Sequence, residues 1–370
     1  KAAAHAQRIL DRMEKNGIKP NVVTFTSVLT TFARQNSFEG AENAMNLLKR
    51  MKKLSEESND VDVKPNIVSY FAVIDSIVRS NGEDAGAQAE ELLKELEELY
   101  RQGDRSMKPD VRVYARVLAA YTKTRKFEEA ITLLKRMEKY TLTGNERFAL
   151  AKPNVVCYNT LISSLGQRGR AKGALNLLNQ MDQFSSSVEN ETDKVIADER
   201  TLNGVIHALS TCSLKGKARK ALKILERLEN SHVDGNWRSK PSSRSYNMVI
   251  NACSNSIMAD DIERKEALNI AFDVFTRIRS SLHVDTDRYT YISMLKTCGK
   301  LIPKKSLEDR KLAVKTVFES CCVEGLVDEK ILMNFCMAAP KELASSILGK
   351  HKTTPRVKDL PKEWSYRATH

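Results

Sequence analysis

The sequence predicts an all-α protein, a right-handed α-solenoid of stacked helix-turn-helix repeats, on three observations. Prolines stand at 20, 65, 109, 153 and 241, and Ala197 and Thr286 fall on the same grid, so the chain repeats every 44 or 45 residues. Five residues past the grid points stand Phe25, Tyr70, Tyr114, Tyr158, Leu202, Tyr246 and Tyr291. Between successive grid points run two apolar stripes at helical spacing, and self-similarity at such a period marks a repeat of helical pairs.

The first element, "KAAAHAQRILDRMEKNGIKP" over 1–21, reads as the second half of a repeat, so the chain is expected to have been cut there. Seven repeats follow, at 22–66, 67–110, 111–154, 155–198, 199–242, 243–287 and 288–328. In the first, "NSFEGAENAMNLLKRM" opens the second helix; in the third, "RKFEEAITLLKRMEKY" does the same. The fourth shows the whole plan: "VVCYNTLISSLGQRG" is one apolar helix, Gly166 and Gly169 suit the turn, and "RAKGALNLLNQMDQF" sets Ala174, Leu175, Leu177, Leu178 and Met181 on a second stripe. The proline breaks the preceding helix and biases the residue before it toward extended geometry. Surplus residues such as "KKLSEESNDVDV" and "YRQGDRSM" read as lengthened connections between repeats, some with an extra helical turn. In the sixth and seventh repeats the surplus moves between the helices, as "NSNSIMADDIERKEA" and "GKLIPKKSLEDRKLA". Residues 329–348 read as capping helices and 349–370 as a basic tail that touches nucleic acid, docks Trp364 on the cap, or stays unstructured. A single helical pair cannot cover its own stripe, so the pairs stack into one core, with about 15 helices expected.

Composition narrows the function. The chain has 370 residues, 41% apolar and 29% charged, and no apolar run approaches a membrane span. Its formal net charge of +13 attracts polyanions. Seven scattered cysteines without a Cys-x-x-Cys pair suggest reduced thiols. The six histidines, His5, His207, His232, His283, His351 and His370, form no metal or catalytic constellation, and no Gly-rich phosphate loop is present. No enzyme activity, metal or cofactor is therefore expected.

The Lys-Pro-Asn/Asp ending and the Val-Val-Cys-Tyr-Asn-like restart of each unit resemble the pentatricopeptide repeat, of the P type, over roughly 1–330, with unusually long units. The tetratricopeptide repeat, with its period of about 34 residues, lacks this proline-then-aromatic spacing. The resemblance implies single-stranded RNA as partner, one unstacked base per repeat read by two or three side chains. It implies reading residues just after the aromatic and at the end of each unit. These are Thr26 with Asn66, Phe71 with Asp110, Ala115 with Asn154, Asn159 with Asp198, Asn203 with Ser242, and Asn247 with Asp287. Asn offers donor and acceptor, Thr and Ser a hydroxyl, and an ionised Asp only accepts. The implied site, 5′ end at the N-terminal unit, is A-N-N-U-C-U. Phe71, Ala115 and Ile292 depart from the pattern, so those units are silent or read by stacking.

Residues two places into each unit, Val23, Val68, Arg112, Val156, Arg200, Arg244 and Tyr289, would pack on bases; the alternative is that the arginines only solvate a helix start. Lys19, Lys64, Lys108, Lys152 and Lys240 precede the prolines, as phosphate contacts or as solubilising residues. The acidic run at 83–104 argues against RNA there and is expected to face solvent on the outer side. The deaminase appendage of some family members needs His-x-Glu and Cys-x-x-Cys, which this segment lacks. The resemblance also implies a mitochondrion or chloroplast and a monomeric chain without membrane contact. RNA-processing or ribosomal proteins are further partners. The competing function is a protein–protein scaffold, such as a structural component of an organellar ribosome.

Overall fold

The computed structural model describes residues 2–58, 61–144, 151–256, 260–349 and 356–368. Among them are seventeen α-helices and no strand. The helices are α1 (Ala2–Lys15), α2 (Val22–Ala33), α3 (Phe38–Ser58), α4 (Ile67–Ser80), α5 (Ala85–Arg101), α6 (Val111–Lys123), α7 (Phe127–Leu142), α8 (Val155–Gln167), α9 (Ala171–Ser187) and α10 (Glu199–Thr211). They continue with α11 (Lys217–Val233), α12 (Ser243–Ser254), α13 (Asp261–Ser280), α14 (Arg288–Leu301), α15 (Leu307–Val323), α16 (Glu329–Ala338) and α17 (Lys341–Leu348). The chain forms two compact units, residues 1–164 with 179–196, and residues 165–178 with 197–370.

Each unit is an α-solenoid stack of helical pairs, as the repeat predicted. In the first unit, α2, α4 and α6 pack side by side as one layer, and α1, α3, α5 and α7 lie against them as a second. In the second unit, α10, α12, α14 and α16 make the corresponding row, backed by α11, α13 and α15. The aromatic grid residues Phe25, Tyr70, Tyr114, Tyr158, Tyr246 and Tyr291, together with Leu202, are all buried. Burial alone is not their whole role. The hydroxyls of Tyr70, Tyr114, Tyr158 and Tyr246 donate to Glu95, Glu97, Glu138 and Glu229 at 2.8, 2.6, 2.5 and 2.9 Å. Burial first, and the facing carboxylates next, push these phenols far above the ordinary tyrosine value, so they remain protonated donors.

The acidic run at 83–104 is solvated at Glu83, Asp84, Glu91 and Glu98, as expected, but not throughout. Glu97 is buried, and Glu90, Glu95 and Glu97 accept from Tyr121, Tyr70 and Tyr114 respectively, while Arg136 bridges Glu90 and Glu97 at 3.2 and 3.4 Å. An amphipathic helix carrying that many glutamates buries some of them because the neighbouring helices bring matching donors.

Among the described residues, surplus length is taken up by long second helices and short turns. Second helices run to 21 residues in α3 and 17 in α5, α9 and α11, and single 3-10 turns follow at Val61–Val63, Arg105–Met107, Glu191–Asp193 and Trp237–Ser239. The residue two places before five of the seven grid points, Val63, Met107, Ala151, Val195 and Ser239, is buried, whereas Ile18 is exposed and Val284 half-buried. Each buried apolar one adds about 1.5–3 kcal/mol if fully withdrawn from water, less for Ala151. Gly169 adopts φ +63 at the turn and its N–H donates to the Gly166 carbonyl at 3.1 Å, as expected of the pair, but no positive φ is needed at Gly166 itself. It lies inside α8, where a Cβ would stand 2.7 Å from the Gly204 carbonyl, so it permits close packing.

The tail docks back over 356–368. Val327 N donates to the Trp364 carbonyl at 2.8 Å, Arg367 N to the Gly325 carbonyl at 2.9 Å, and Trp364 meets Phe318 edge-on at 5.9 Å. His351 and His370 lie outside the described residues. All seven cysteines are free; burial pushes Cys157 up to about 11 and Cys253 and Cys298 up to about 12, which keeps these thiols inert.

Candidate nucleic-acid interface

The residue after each grid point caps a first helix, because a short polar side chain in extended geometry satisfies amide donors that the first turn leaves open. Asn66 accepts from Val68 N and Ser69 N at 3.0 Å each; Asp110 from Arg112 N at 2.9 Å; Asn154 from Val156 N at 3.0 Å. Asp198 accepts from Thr201 N and Asp287 from Thr290 N, both at 2.8 Å, while Ser242 forms a capping box with Ser245. The candidate reading residues at unit ends are thus held rigidly by their own helices. Asn21 and Asp328 cap α2 and α16 in the same way. Neither was among the expected site residues, although Asn21 follows Pro20 in register.

Two residues further on, Val23, Val68, Arg112, Val156, Arg200, Arg244 and Tyr289 are all exposed on the first turn of their helices. Arg112 folds back so that its Nε meets Asp110 at 2.7 Å, and the Arg288 guanidinium lies 4.9 Å from the Tyr289 ring centre. The other expected position occurs one turn deeper, at Thr26, Asn159, Asn203 and Asn247.

Neighbouring first helices bring three of the six paired positions together. Thr26 Oγ1 lies 2.9 Å from Ser69 Oγ, which in turn bonds Asn66 at 3.2 Å. Asn247 Nδ2 donates directly to Asp287 Oδ1 at 2.9 Å. Asn203 and Ser242 meet through a residue the sequence reading passed over: both donate to Glu199 Oε1, at 3.1 and 2.6 Å. The amide oxygens of Asn203 and Asn247 are buried and find no hydrogen-bond partner among the described residues. Native proteins rarely leave such atoms unmatched, so each is open to a hydrogen bond from water or from a bound group. Asn159 and Asp198 belong to different units and are described separately; Asn159 is buried. Phe71 and Ala115 are half-buried and Ile292 is buried, so the three departures from the pattern offer apolar surface only.

A cationic cluster joins the inner faces of α4 and α6. Asp75 takes Arg79 at 2.8 Å and Arg116 at 2.7 Å, and Lys123 beside them donates to the Val78 carbonyl at 2.8 Å. Burial first, then the charges of Arg116 and Arg79, lower the Lys123 ammonium. Two arginines share one carboxylate with a third cation beside them, an excess of positive charge that attracts anions. The signal was legible as Phe71, Asp75, Arg79 and Ala119, Lys123 at four-residue steps. Of the lysines before the prolines, Lys64 and Lys152 are held by Asp104 and Asp193, both at 2.6 Å, and Lys108 sits 5.6 Å over the Tyr100 ring. Lys64 and Lys152 tie successive connections together, and Lys108 closes its own connection onto α5. Among the described residues no three His, Cys, Asp or Glu side chains gather as a metal would require.

Capped first helices in each unit, every one with an exposed residue on its first turn and, one turn deeper, either a polar side chain such as Thr26, Asn203 or Asn247 or an apolar one, define a helical-repeat protein. Pentatricopeptide sequence patterns match it: "PPR repeat" over 151–182 and again over 112–142, and "Pentatricopeptide repeat domain" over 8–80 and 199–256, together more than half of the chain. The chain belongs to the pentatricopeptide repeat family. No curated protein matches it by sequence. In structure it is similar to the crystal structure of the pentatricopeptide repeat protein PPR10 from maize, with a TM-score of 0.56 and 19% identity, over 93% of this chain and 42% of that one. The chain thus spans about two fifths of the length of the maize protein.

Proposed function

We propose that this chain binds single-stranded RNA along its first-helix rows, one base to a repeat, in organellar RNA processing, stability or translation. The observation that carries this reading is the Asn247–Asp287 contact at 2.9 Å, with the buried Asn247 oxygen left open. Two side chains from successive repeats converge where one base edge would meet both. The Thr26–Ser69–Asn66 chain and the Asn203–Glu199–Ser242 bridge repeat the convergence. Exposed Val23, Val68, Val156 and Tyr289 flank those points as stacking surfaces. The family pattern gives A-N-N-U-C-U, with the fourth place resting on residue identity alone. At the second and third repeats, where Phe71 and Ala115 cannot read an edge, the Arg79–Arg116–Lys123 cluster holds the backbone instead.

Selection from a random single-stranded RNA pool at low and high salt tests this. Enrichment of a short motif with adjacent pyrimidines supports base reading. Salt-sensitive retention without a motif reduces the function to a basic surface, and no retention at either salt removes RNA and leaves the protein scaffold.

A further inference from the structure

We propose that Glu199 is a specificity-determining residue of the fifth repeat and makes that repeat select uracil rather than cytosine. The inference rests on the base-reading function above and departs from the fifth place of its motif. By side-chain identity Asn203 with Ser242 is a cytosine pair, because the serine hydroxyl can donate to cytosine N3, an acceptor. In the structure that proton is committed. Ser242 Oγ donates to Glu199 Oε1 at 2.6 Å, and Asn203 Nδ2 donates to the same oxygen at 3.1 Å. What remains for a base is acceptor character: the carboxylate, and the buried Asn203 oxygen that has no partner among the described residues.

The sixth repeat shows the same electrostatic pattern by another route. There Asn247 Nδ2 donates to the Asp287 carboxylate at 2.9 Å, and the Asn247 oxygen is likewise open. Glu199 thus supplies from the first turn of α10 what Asp287 supplies from the cap of α14. An ionised carboxylate only accepts. It receives the N3–H of uracil and faces the N3 lone pair of cytosine with like charge. The fifth repeat therefore behaves as an asparagine–aspartate pair.

The experiment measures binding of the purified chain, by fluorescence anisotropy, to short RNAs with cytosine or uracil at the fifth place. A second set varies the sixth place, which Glu199 does not touch. Uracil at the fifth place should bind about tenfold tighter than cytosine, the worth of one well-placed hydrogen-bonding pair. Glu199→Ala frees the Ser242 hydroxyl and should shift the fifth-place preference to cytosine while leaving uracil preferred at the sixth, which also shows the variant is folded. Ser242→Ala should keep the uracil preference, since the carboxylate remains. Cytosine preferred by the unaltered chain, or a uracil preference that survives Glu199→Ala, overturns the proposal while base reading stands. Loss of preference at both places in the unaltered chain sinks base reading, and this proposal with it.

Discussion

Asn247 and Asp287 are 40 residues apart in the chain and bonded at 2.9 Å in the fold. Replacing Asn247 with Ala removes one half of the proposed reading pair and leaves Asp287 capping α14, so on that proposal the helix should persist while selectivity goes. We expect the uracil preference at the sixth place to fall by about tenfold, with overall affinity reduced less, measured on RNAs differing only at that base. His207 gives a pH effect at the same scale. Burial, and then the Arg244 charge, hold its imidazole below the ordinary 6.5. Below that value the unfolded chain binds the proton more readily, so His207 supports the fold fully above about pH 6.5. The support is lost as the pH falls below 6.5, and the loss levels off beneath the folded-state value. The melting temperature of the natural chain should drop further than that of a His207→Gln variant between about pH 7.5 and about pH 5.5.

At the scale of elements, the 3-10 turns decide whether the long connections are passive. Met107 ends one such turn and is buried against the preceding helix. Met107→Ala should cost about 2–5 kcal/mol, seen as a lower urea midpoint, whereas substitution in a mere loop would change little. The helical pairs and their register were legible in the sequence, since proline and aromatic recur at fixed offsets and each stripe has its own period. The order in the surplus was not. A three-residue turn has no period to detect, and its support comes from cross-repeat partners such as Lys64 and Asp104, 40 residues apart. Lys64 holds the Asp104 carboxyl below the usual carboxylate range, a tie invisible locally. The cap row of the candidate site followed from the prolines. Glu199 did not, because its role depends on Ser242, which arrives only when α12 packs on α10.

For the whole molecule, a formal net charge of +13 makes any polyanion bind more tightly at low salt. Affinity for single-stranded RNA should fall on a logarithmic plot with a slope of about 0.7 per neutralised phosphate. Arg116→Ala and Lys123→Ala should each flatten that slope by about 0.7, with no change in the preferred motif, in titrations across salt concentrations. Stability in such stacks is a sum of neighbour interfaces, so damage in one repeat should weaken its neighbours first.

The caps that hold the first helices draw on asparagine, aspartate and serine, the residues that satisfy an opening turn about equally well. The same three types distinguish bases by donor and acceptor. A single substitution among them can therefore redirect what is recognised while the fold hardly registers the change. On the proposed base-reading function, mutational drift at Asn66, Asp198 and Asp287 would explore new targets along a nearly level path of stability.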